Sequence, residues 1–395
     1  MELDRNERNA ALREAVAAVL PDMRRVGRYL FEHPELSGEE YGSARYLAEE
    51  LAKLGFTVRH PYAGVETALR ADLVCGEGPT VAFLAEYDAL PGYGPEHDRP
   101  AHACGHNWIA ATCYGACAAL ARCRELFSGT VSFIGAPAEE TTGGKVDVLR
   151  GGGYEGVDAA MQFHLGNHTK MDVHSLAMDS LEFTFHGKAA HASSQPFMGV
   201  NALDAVMLTH AGIGCLRQHL TTDVRIHGIV TDGGKACNVI PDLARCRYYV
   251  RAASRERLEE VKEKVLNVAR GAALMTGARL EWRYFENSLD DLVLHPPLQA
   301  AMCENLAALG VQDERGPNCG KADIGSSDIG NVSRATAVSY IVLATGLGPD
   351  VAAHMEGFLE GVVGEHADRT MPIAAAAMGM TALDVYHDPS LARRA

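Results

Sequence analysis

Three short apolar runs of the sequence are each followed by side chains that can bind a metal or move a proton. The runs, with the side chains that follow them, are Thr80–Ala85 with Glu86 and Asp88, Thr130–Gly135 with Glu139 and Glu140, and Ala159–Phe163 with His164. Polar residues are also ordinary where a strand meets solvent, so one run alone decides little. In an open α/β sheet, however, ligands bind at the carboxyl ends of the strands. The three runs together therefore predict a single site.

A thiol and two imidazoles lie within five residues in the segment His102-Ala-Cys104-Gly-His106, just before a predicted helix over 107–124. Thiolate and imidazole are good ligands for zinc and related divalent ions. Cys104 and His106 can point to the same side of an extended segment, although an isolated C-x-H is also compatible with simple packing. The sequence has neither the CxxC pairs of a structural zinc site nor HExxH, because His354-Met-Glu-Gly-Phe lacks the second histidine.

The adjacent carboxylates Glu139 and Glu140 need a cation if both are buried, because like charges repel. On a surface such a pair would be ordinary, but here it follows a strand that runs out of a core. One carboxylate can ligate a metal while its neighbour takes a proton from a metal-activated water. The pair therefore predicts metal-assisted hydrolysis.

Composition and missing motifs exclude several other classes of protein. The 395 residues carry a formal net charge of −15, which disfavours nucleic acid and anionic membranes as partners. The uncharged stretch Thr370–Leu383 is shorter than the ~20 residues that span a bilayer, and the charged N-terminus does not resemble a signal peptide. Ten scattered cysteines favour a reduced, cytoplasmic location. The sequence contains neither the phosphate loop G-x-x-x-x-G-K-[ST] nor the nucleophile elbow G-x-S-x-G.

The elements around the candidate site alternate between helices and strands, which predicts an α/β fold with a largely parallel central sheet. A further apolar run, Val338–Ala344, comes late in the chain. A helix is predicted over 37–54, where Ser37 and Glu40 fit a capping box at its start.

The middle of the chain follows a different order of elements. It is predicted as strand 181–188, helix 201–219, strands 223–231 and 244–252, helix 255–276 and strand 279–285. This βαββαβ order is ferredoxin-like and predicts an α+β domain over 178–288, inserted into a larger domain of 1–177 and 289–395. Five histidines lie in this inserted domain, and most of them are expected to be structural: His186, His191, His210, His219 and His227.

Seven motifs spread along the chain carry a resemblance to a known family. They are His33-Pro-Glu-Leu-Ser37, Ala85-Glu-Tyr-Asp-Ala-Leu-Pro91, His102-Ala-Cys-Gly-His-Asn107, Pro137-Ala-Glu-Glu140, Gly187-Lys-Ala-Ala-His-Ala192, Asn238-Val-Ile-Pro241 and Ser326-Ser-Asp-Ile-Gly-Asn331. With them the sequence resembles peptidase family M20, the metallopeptidases and amidohydrolases, and in particular its amidohydrolase branch, subfamily D. Within that branch it is most similar to the group that holds the aminobenzoyl-glutamate hydrolase B subunit and β-alanyl-lysine type dipeptidases.

The resemblance implies a catalytic α/β domain with an inserted lid domain that dimerises, and one or two divalent metal ions, Zn²⁺ or Mn²⁺, in each protomer. The implied metal ligands are Cys104, His106, Glu140, His164 and His354, with Cys104 bridging the metals. The other implied roles are Glu139 as general base, Asp88 orienting a ligand, His191 stabilising the oxyanion and Asn238 holding the substrate.

The sequence departs from the family pattern at three places. Glu86 stands where other branches have a ligating histidine, so the first metal site depends on His106 and His164. An insertion over 95–101 lies next to the site and is expected to affect the substrate entrance. Around His354 the chain reads Ala-His-Met-Glu-Gly-Phe, whereas relatives usually have His-Thr-Pro-Glu-Phe.

The sequence therefore predicts a metal-dependent amidohydrolase that cleaves the amide of an N-acyl amino acid or an unusual dipeptide, of the aminobenzoyl-glutamate, β-alanyl dipeptide or indoleacetyl-amino-acid type. The alternatives are hydrolytic deamination of an aromatic amine at the same site, and a non-catalytic binding protein that kept the fold. The alternating apolar strand Leu181–Lys188 is expected to be an exposed edge, paired in a homodimer through the inserted domain.

Overall fold

The computed structural model describes residues 3–314 and 325–394, which divide into two compact units. Unit one contains the described residues up to 174 together with 293–314 and 331–394. Unit two contains 175–292 and 325–330. Compared with the predicted insertion of 178–288, unit two begins three residues earlier, ends four residues later and takes in a second, short segment.

Helices and strands alternate through unit one. The helices of the described chain are α1 (Arg5–Glu32), α2 (Tyr41–Lys53), α3 (His106–Arg122), α4 (Gly144–Arg150), α5 (Ala202–Arg217), α6 (Arg255–Thr276), α7 (Pro296–Ala308), α8 (Ile329–Ala335) and α9 (Gly364–His387). The strands are β1 (Thr57–Arg59), β2 (Leu69–Val74), β3 (Thr80–Ala85), β4 (Leu90–Tyr93), β5 (Arg99–Ala101), β6 (Thr130–Gly135), β7 (Ala159–Gly166), β8 (Ala177–His186), β9 (Arg225–Asp232), β10 (Leu243–Ala252), β11 (Arg279–Tyr284) and β12 (Ala337–Ala344). Among these helices, none is long and apolar enough to cross a membrane.

The main sheet of unit one has the strand order β1-β2-β6-β3-β7-β12 within the described residues. Strands β6, β3, β7 and β12 are parallel, while β1 and β2 join antiparallel at one side. The predicted α/β class with a largely parallel sheet is confirmed. Because Ala85 pairs with Gly135, the residues after β3 and β6 emerge beside each other. The third run is longer than predicted, so His164 lies inside β7 rather than after it.

Helix α3 fixes the position of the Cys104–His106 segment because almost every one of its residues is buried. Small residues allow α1 and α9 to pack closely on it: a Cβ on Gly115 would lie 2.5 Å from the Met23 side chain. Cys113 and Cys117 belong to this packing as buried small side chains. A helix held on all sides cannot shift without disturbing the core, so its N-terminus is a rigid place for ligands.

The capping box predicted at the start of the second helix is wrong. Helix α2 begins at Tyr41, and the N-cap residue Glu40 makes no side-chain cap. Its carboxylate is turned inward and accepts a hydrogen bond from Ala138 N at 2.8 Å. Ser37 Oγ donates instead to Asp88 Oδ2 at 2.7 Å. Both side chains are therefore used by the site, not by the helix.

Unit two is a four-stranded antiparallel sheet, β11-β8-β10-β9, with α5 and α6 packed against it. The order of elements along the chain is the βαββαβ order predicted from the sequence. The predicted edge strand is wrong: β8 pairs with β10 over ten residues and with β11 over six, so it lies inside the sheet. Its apolar residues Leu181, Phe183 and Phe185 face the core of the unit. The outer strands among the described residues are β9 and β11.

Candidate metal centre

Cys104 and His106 lie on either side of Gly105, at the N-terminus of α3. Gly105 is the N-cap and has φ +84°, a left-handed conformation that costs other residues more than glycine. Cys104 and His106 are both buried. The short apolar turn thereby directs a thiol and an imidazole to the carboxyl end of the neighbouring strands, as the spacing predicts.

A first group of ligand atoms consists of Cys104, His106 and His164, all within 4.8 Å of one another. Cys104 Sγ lies 3.4 Å from Nε2 of His164. The Nδ1 of His164 donates to the carbonyl of Leu165 at 2.6 Å, so Nε2 carries the lone pair and faces the thiol. A thiolate and two imidazole nitrogens at these separations are a typical ligand set for zinc.

A second group shares the same cysteine and consists of Cys104, Glu140 and His354. His354 Nε2 lies 3.3 Å from Glu140 Oε1. The backbone of His354 is in the left-handed region, φ +71°, and is held on both sides: its N–H donates to Ala103 O and its carbonyl accepts from Tyr93. The unusual sequence around His354 thus still brings its ring to the cluster.

The buried ligand atoms of these two groups, together called the cluster below, are better suited to binding a cation than to contact with one another. His106 Nε2 and Glu140 Oε1 are buried and lie 3.8 Å apart, and the same Glu140 oxygen lies 3.3 Å from His354 Nε2. Burial lowers the pKa of His106, but the charges of Asp88 and Glu86 outweigh it and raise that pKa well above its ordinary value. Without a metal the ring therefore carries the positive charge that the surrounding carboxylates attract, and a metal ion would take its place. Because Cys104 belongs to both groups, the five side chains could hold one or two divalent ions.

The thiol of Cys104 also depends on a cation. Burial raises the pKa of Cys104 well above its ordinary value, and the nearby Glu140 carboxylate adds to the effect. The position before α3 does not overcome these contributions, although a helix N-terminus favours thiolate. A metal ion would reverse this balance, since a coordinating thiol is deprotonated.

Asp88 connects the two groups without belonging to either. Its Oδ1 accepts from Nδ1 of His106 at 2.7 Å, and its Oδ2 accepts from the backbone N–H of Glu140 at 3.0 Å. Burial by itself would raise the pKa of Asp88, but the His106 ring and the hydrogen bonds hold it well below its usual range. Asp88 is therefore ionised and orients His106 with Nε2 toward the cluster.

Glu86, the departure from the family pattern, forms a buried ion pair. Its Oε1 accepts from Lys145 Nζ and from Gln162 Nε2, and all three side chains are buried. Burial opposes ionisation, but the charges of Lys145, His106 and His164 together outweigh it and lower the pKa of Glu86 to about 2. Its other oxygen, Oε2, lies 3.4 Å from His106 Nε2.

The remaining predicted residues lie around or apart from this cluster. Glu139 is half-buried and forms a third group of neighbouring atoms with His106 and Glu140, but it is in neither group that contains Cys104. The 95–101 insertion forms the turn and second strand of the β4–β5 hairpin, and Tyr93 of that hairpin touches His354. His191 and Asn238 are exposed residues of unit two, on segments joined by the hydrogen bond from Ala192 N to Asn238 O.

Several residues of the site were not predicted from the sequence. They are Ser37, Glu40, Tyr93, Lys145 and Gln162. Lys145 had one usable signal, because it is the cation nearest in sequence to a carboxylate pair predicted to be buried. The other four have side-chain types that are common on surfaces, and nothing in the sequence shows which way they turn.

The sequence profile of Peptidase family M20/M25/M40 matches residues 82–374, a span that includes every residue of both ligand groups. The chain belongs to this family. It is therefore a metal-dependent hydrolase of amide C–N bonds, and the family predicted from the sequence motifs is confirmed.

Two named proteins of the M20 family are similar to the chain along much of its length. It is 33% identical over 404 residues to an Xaa-Arg dipeptidase of Mus musculus, covering 99% of this chain and 91% of that protein. It is 34% identical over 298 residues to the B subunit of p-aminobenzoyl-glutamate hydrolase from Escherichia coli (strain K12), covering 72% of this chain and 62% of that protein. The fold is similar to a dinuclear metal-binding peptidase of the M20 family from Bacillus subtilis, with a TM-score of 0.71 at 23% identity over 93% of this chain and 99% of that chain.

Proposed function

We propose that this M20 hydrolase cleaves the amide of an N-acyl amino acid or an unusual dipeptide, of the aminobenzoyl-glutamate, β-alanyl dipeptide or indoleacetyl-amino-acid type. The observation that carries the proposal is the sharing of Cys104 between two donor groups, one with His106 and His164 and one with Glu140 and His354. The names of the two relatives support the substrate class, since each describes a protein that acts on an amide next to an amino acid.

The five ligands would hold two divalent ions, Zn²⁺ or Mn²⁺. Thiolate and imidazole favour zinc at the first group, whereas the carboxylate of Glu140 in the second also suits manganese. When bound, such ions polarise a carbonyl and lower the pKa of water. The similarity in fold to the dinuclear metal-binding peptidase of Bacillus subtilis supports two ions over one.

The proposed proton transfers use Glu139. The oxygen of the attacking water bonds to the amide carbon while Glu139 accepts its proton; the C–N bond then breaks as Glu139 passes that proton to the leaving nitrogen. His191 donates a hydrogen bond to the oxyanion that forms, and Asn238 holds the substrate. Glu139 suits this role because it lies beside His106 and Glu140 but outside both groups that contain Cys104.

The protein is proposed to be a cytoplasmic homodimer that assembles through unit two. We place the pairing at β9, one of the two outer strands of the described sheet and not the strand predicted from the sequence, because its residues Ile229 and Val230 are 67% and 47% exposed. Exposed apolar residues on an outer strand are usually covered by a partner. Light scattering at micromolar concentration checks this: a dimer is expected, and Ile229→Lys should shift the protein to monomer.

A hydrolysis screen tests the activity. The purified protein, stripped of metal and reloaded with Zn²⁺ or Mn²⁺, is offered β-alanyl dipeptides, aromatic acyl-glutamates, indoleacetyl amino acids and dipeptides ending in arginine. Release of the free amine, dependent on added metal, is the expected result. Release of ammonia from an aromatic amine would instead identify a deaminase. Stoichiometric metal without turnover of any substrate would contradict the proposal and favour a binding protein.

A further inference from the structure

Glu40 is completely buried, yet it lies at the first turn of a helix without capping it. Its Oε1 accepts from the backbone N–H groups of Gly38 and Ala138, each at 2.8 Å. Its Oε2 accepts from Thr67 Oγ1 at 3.1 Å. These donors satisfy a carboxylate that has no access to water, and one of them comes from a segment 98 residues away.

That distant segment is the backbone that leads into the two functional glutamates. Ala138 directly precedes Glu139 and has φ +56°, in the left-handed region that residues with a side chain rarely adopt. Such a conformation persists only where its surroundings hold it in place. The carbonyl of Ala138 accepts from Gly143 N at 2.8 Å, and its N–H is held by Glu40.

Two buried carboxylates therefore hold alternate N–H groups of one three-residue segment. Glu40 binds the N–H of Ala138, and Asp88 binds the N–H of Glu140. With both contacts in place, the backbone between them sets where the Glu139 and Glu140 side chains leave the chain. Asp88 also orients His106, whereas Glu40 touches no residue of either ligand group through the hydrogen bonds that the structure records.

We propose that Glu40 is a positioning residue of the metal centre, which holds the left-handed turn at Ala138 and thereby directs Glu140 to its metal and Glu139 to the substrate. The proposal rests on the roles proposed for those two glutamates. It assigns the effect to the reach of the Glu40 side chain and to its acceptor oxygen, not to its charge.

A matched pair of substitutions separates reach from charge. Glu40→Gln removes the charge but keeps an oxygen at the same distance from Ala138 N, and its amide can donate to the Thr67 hydroxyl. Glu40→Asp keeps the charge but withdraws the acceptor by one methylene. Thr67→Val, a control, changes only the contact to the other oxygen of Glu40.

The measurement is Zn²⁺ affinity and stoichiometry of the full-length protein, by competition with a chromophoric chelator, with the thermal midpoint recorded for each variant. Glu40→Asp is expected to weaken the weaker metal site 10- to 100-fold, as substitutions behind a ligand commonly do. Glu40→Gln and Thr67→Val keep an acceptor for Ala138 N and should leave the Zn²⁺ affinity close to that of the wild type. Wild-type affinity in Glu40→Asp, or equal losses in Glu40→Asp and Glu40→Gln, would overturn the proposal.

The variant Glu140→Gln separates a failure of the inference about Glu40 from a failure of the proposed metal-ligand role of Glu140. If Glu140→Gln keeps wild-type Zn²⁺ affinity, Glu140 is not a ligand and the proposed function of the pair is wrong. If Glu140→Gln loses affinity while Glu40→Asp does not, the glutamate keeps its role and only the inference about Glu40 is wrong.

Discussion

Oδ1 of Asp88 lies 2.7 Å from Nδ1 of His106, and both side chains are fully buried. The hydrogen bond keeps a proton on Nδ1, so Nε2 faces the candidate ligands and is the nitrogen that would bind a metal. Since the second oxygen of Asp88 binds the backbone of Glu140, one carboxylate orients a ligand from each group. A disturbance at Asp88 should therefore reach both groups of candidate ligands.

Asp88→Asn is expected to lower metal affinity 10- to 100-fold, because the amide is uncharged and cannot offer acceptors to both His106 and Glu140. Zinc content after dialysis against a weak chelator measures the effect. Ser37→Ala is the control, since it removes one hydrogen bond to the same carboxylate and leaves both ligand contacts intact. Equal zinc content in Asp88→Asn and the wild type would show that Asp88 is not needed to orient the ligands.

The buried pair Glu86–Lys145 predicts a loss of stability when one partner is removed. Lys145→Met leaves a carboxylate buried with Gln162 as its remaining donor among the recorded contacts, which should cost about 3–5 kcal/mol of unfolding free energy. Glu86→Gln combined with Lys145→Met removes both charges and should recover most of the loss. Urea unfolding of the metal-free wild type and of both variants measures these changes in unfolding free energy.

Lys53→Met is the matched control for this pair. Lys53 also binds a buried carboxylate, Glu50, but its own side chain is 66% exposed and Arg25 binds the same carboxylate. Lys53→Met should therefore lower the free energy of unfolding by less than about 1 kcal/mol. Similar losses of unfolding free energy in Lys145→Met and Lys53→Met would show that burial does not increase the contribution of the Lys145 ion pair to stability.

The sequence predicted the ligands better than the residues that hold them. Cys104, His106 and the glutamate pair could be found because their types and spacing are unusual and because they follow strand-like runs. Glu40 could not, since a glutamate three residues after a serine at a helix start fits a capping box just as well. What turns the Glu40 carboxylate inward is a tertiary contact, the hydrogen bond from Ala138, which lies 98 residues away in the sequence. A local sequence pattern contains no information on such a contact.

The prediction that strand 181–188 lies at an edge of its sheet was wrong for a related reason. The strand 181–188 alternates apolar residues, which indicates one buried face but says nothing about neighbours in the sheet. In the structure β8 is paired on both sides, by β10 and β11, and exposed apolar residues lie on the two outer strands β9 and β11. The pattern thus predicted the strand but not its position.

The pKa of Glu40 predicts how stability changes with pH. Burial raises this pKa from 4.5 to about 7, against the opposing effect of the Gly38 N–H. Between these values the folded protein keeps a proton that the unfolded chain releases, so stability falls as pH rises from about 4.5 to about 7 and stays lower above it. Over this range the free energy of unfolding falls by about 3 kcal/mol. In the metal-free protein, Glu40→Gln should lack this part of the decline; unfolding free energies that run parallel in both proteins from pH 4.5 to 8 would contradict it.

His191 gives a prediction for unit two. If it stabilises the oxyanion, His191→Ala should lower kcat by about 10²–10³-fold with unchanged metal content, because it removes one donor and no ligand. His186→Ala is the control: it lies in the same unit and pairs with Glu281 at the surface. Normal turnover in His191→Ala would place His191 with the structural histidines, while a comparable loss in His186→Ala would point to a general effect on unit two.

The last prediction separates Glu139 from Glu140, which are adjacent in sequence but have different surroundings. Glu140 lies 3.3 Å from His354 and in a group with Cys104, whereas Glu139 is in neither group that contains the cysteine. Glu140→Gln should therefore weaken metal binding together with activity. Glu139→Gln should keep the metal and the fold but lower turnover by about 10²–10⁴-fold, because the amide cannot accept the proton of the attacking water.

Metal analysis and steady-state kinetics on both purified variants decide between these roles. Loss of metal in Glu139→Gln with retention in Glu140→Gln would reverse the two assignments. Undiminished rates in both variants would show that the reaction takes place in a different part of the protein, since a hydrolysis that uses either carboxylate could not keep its rate when that carboxylate is removed.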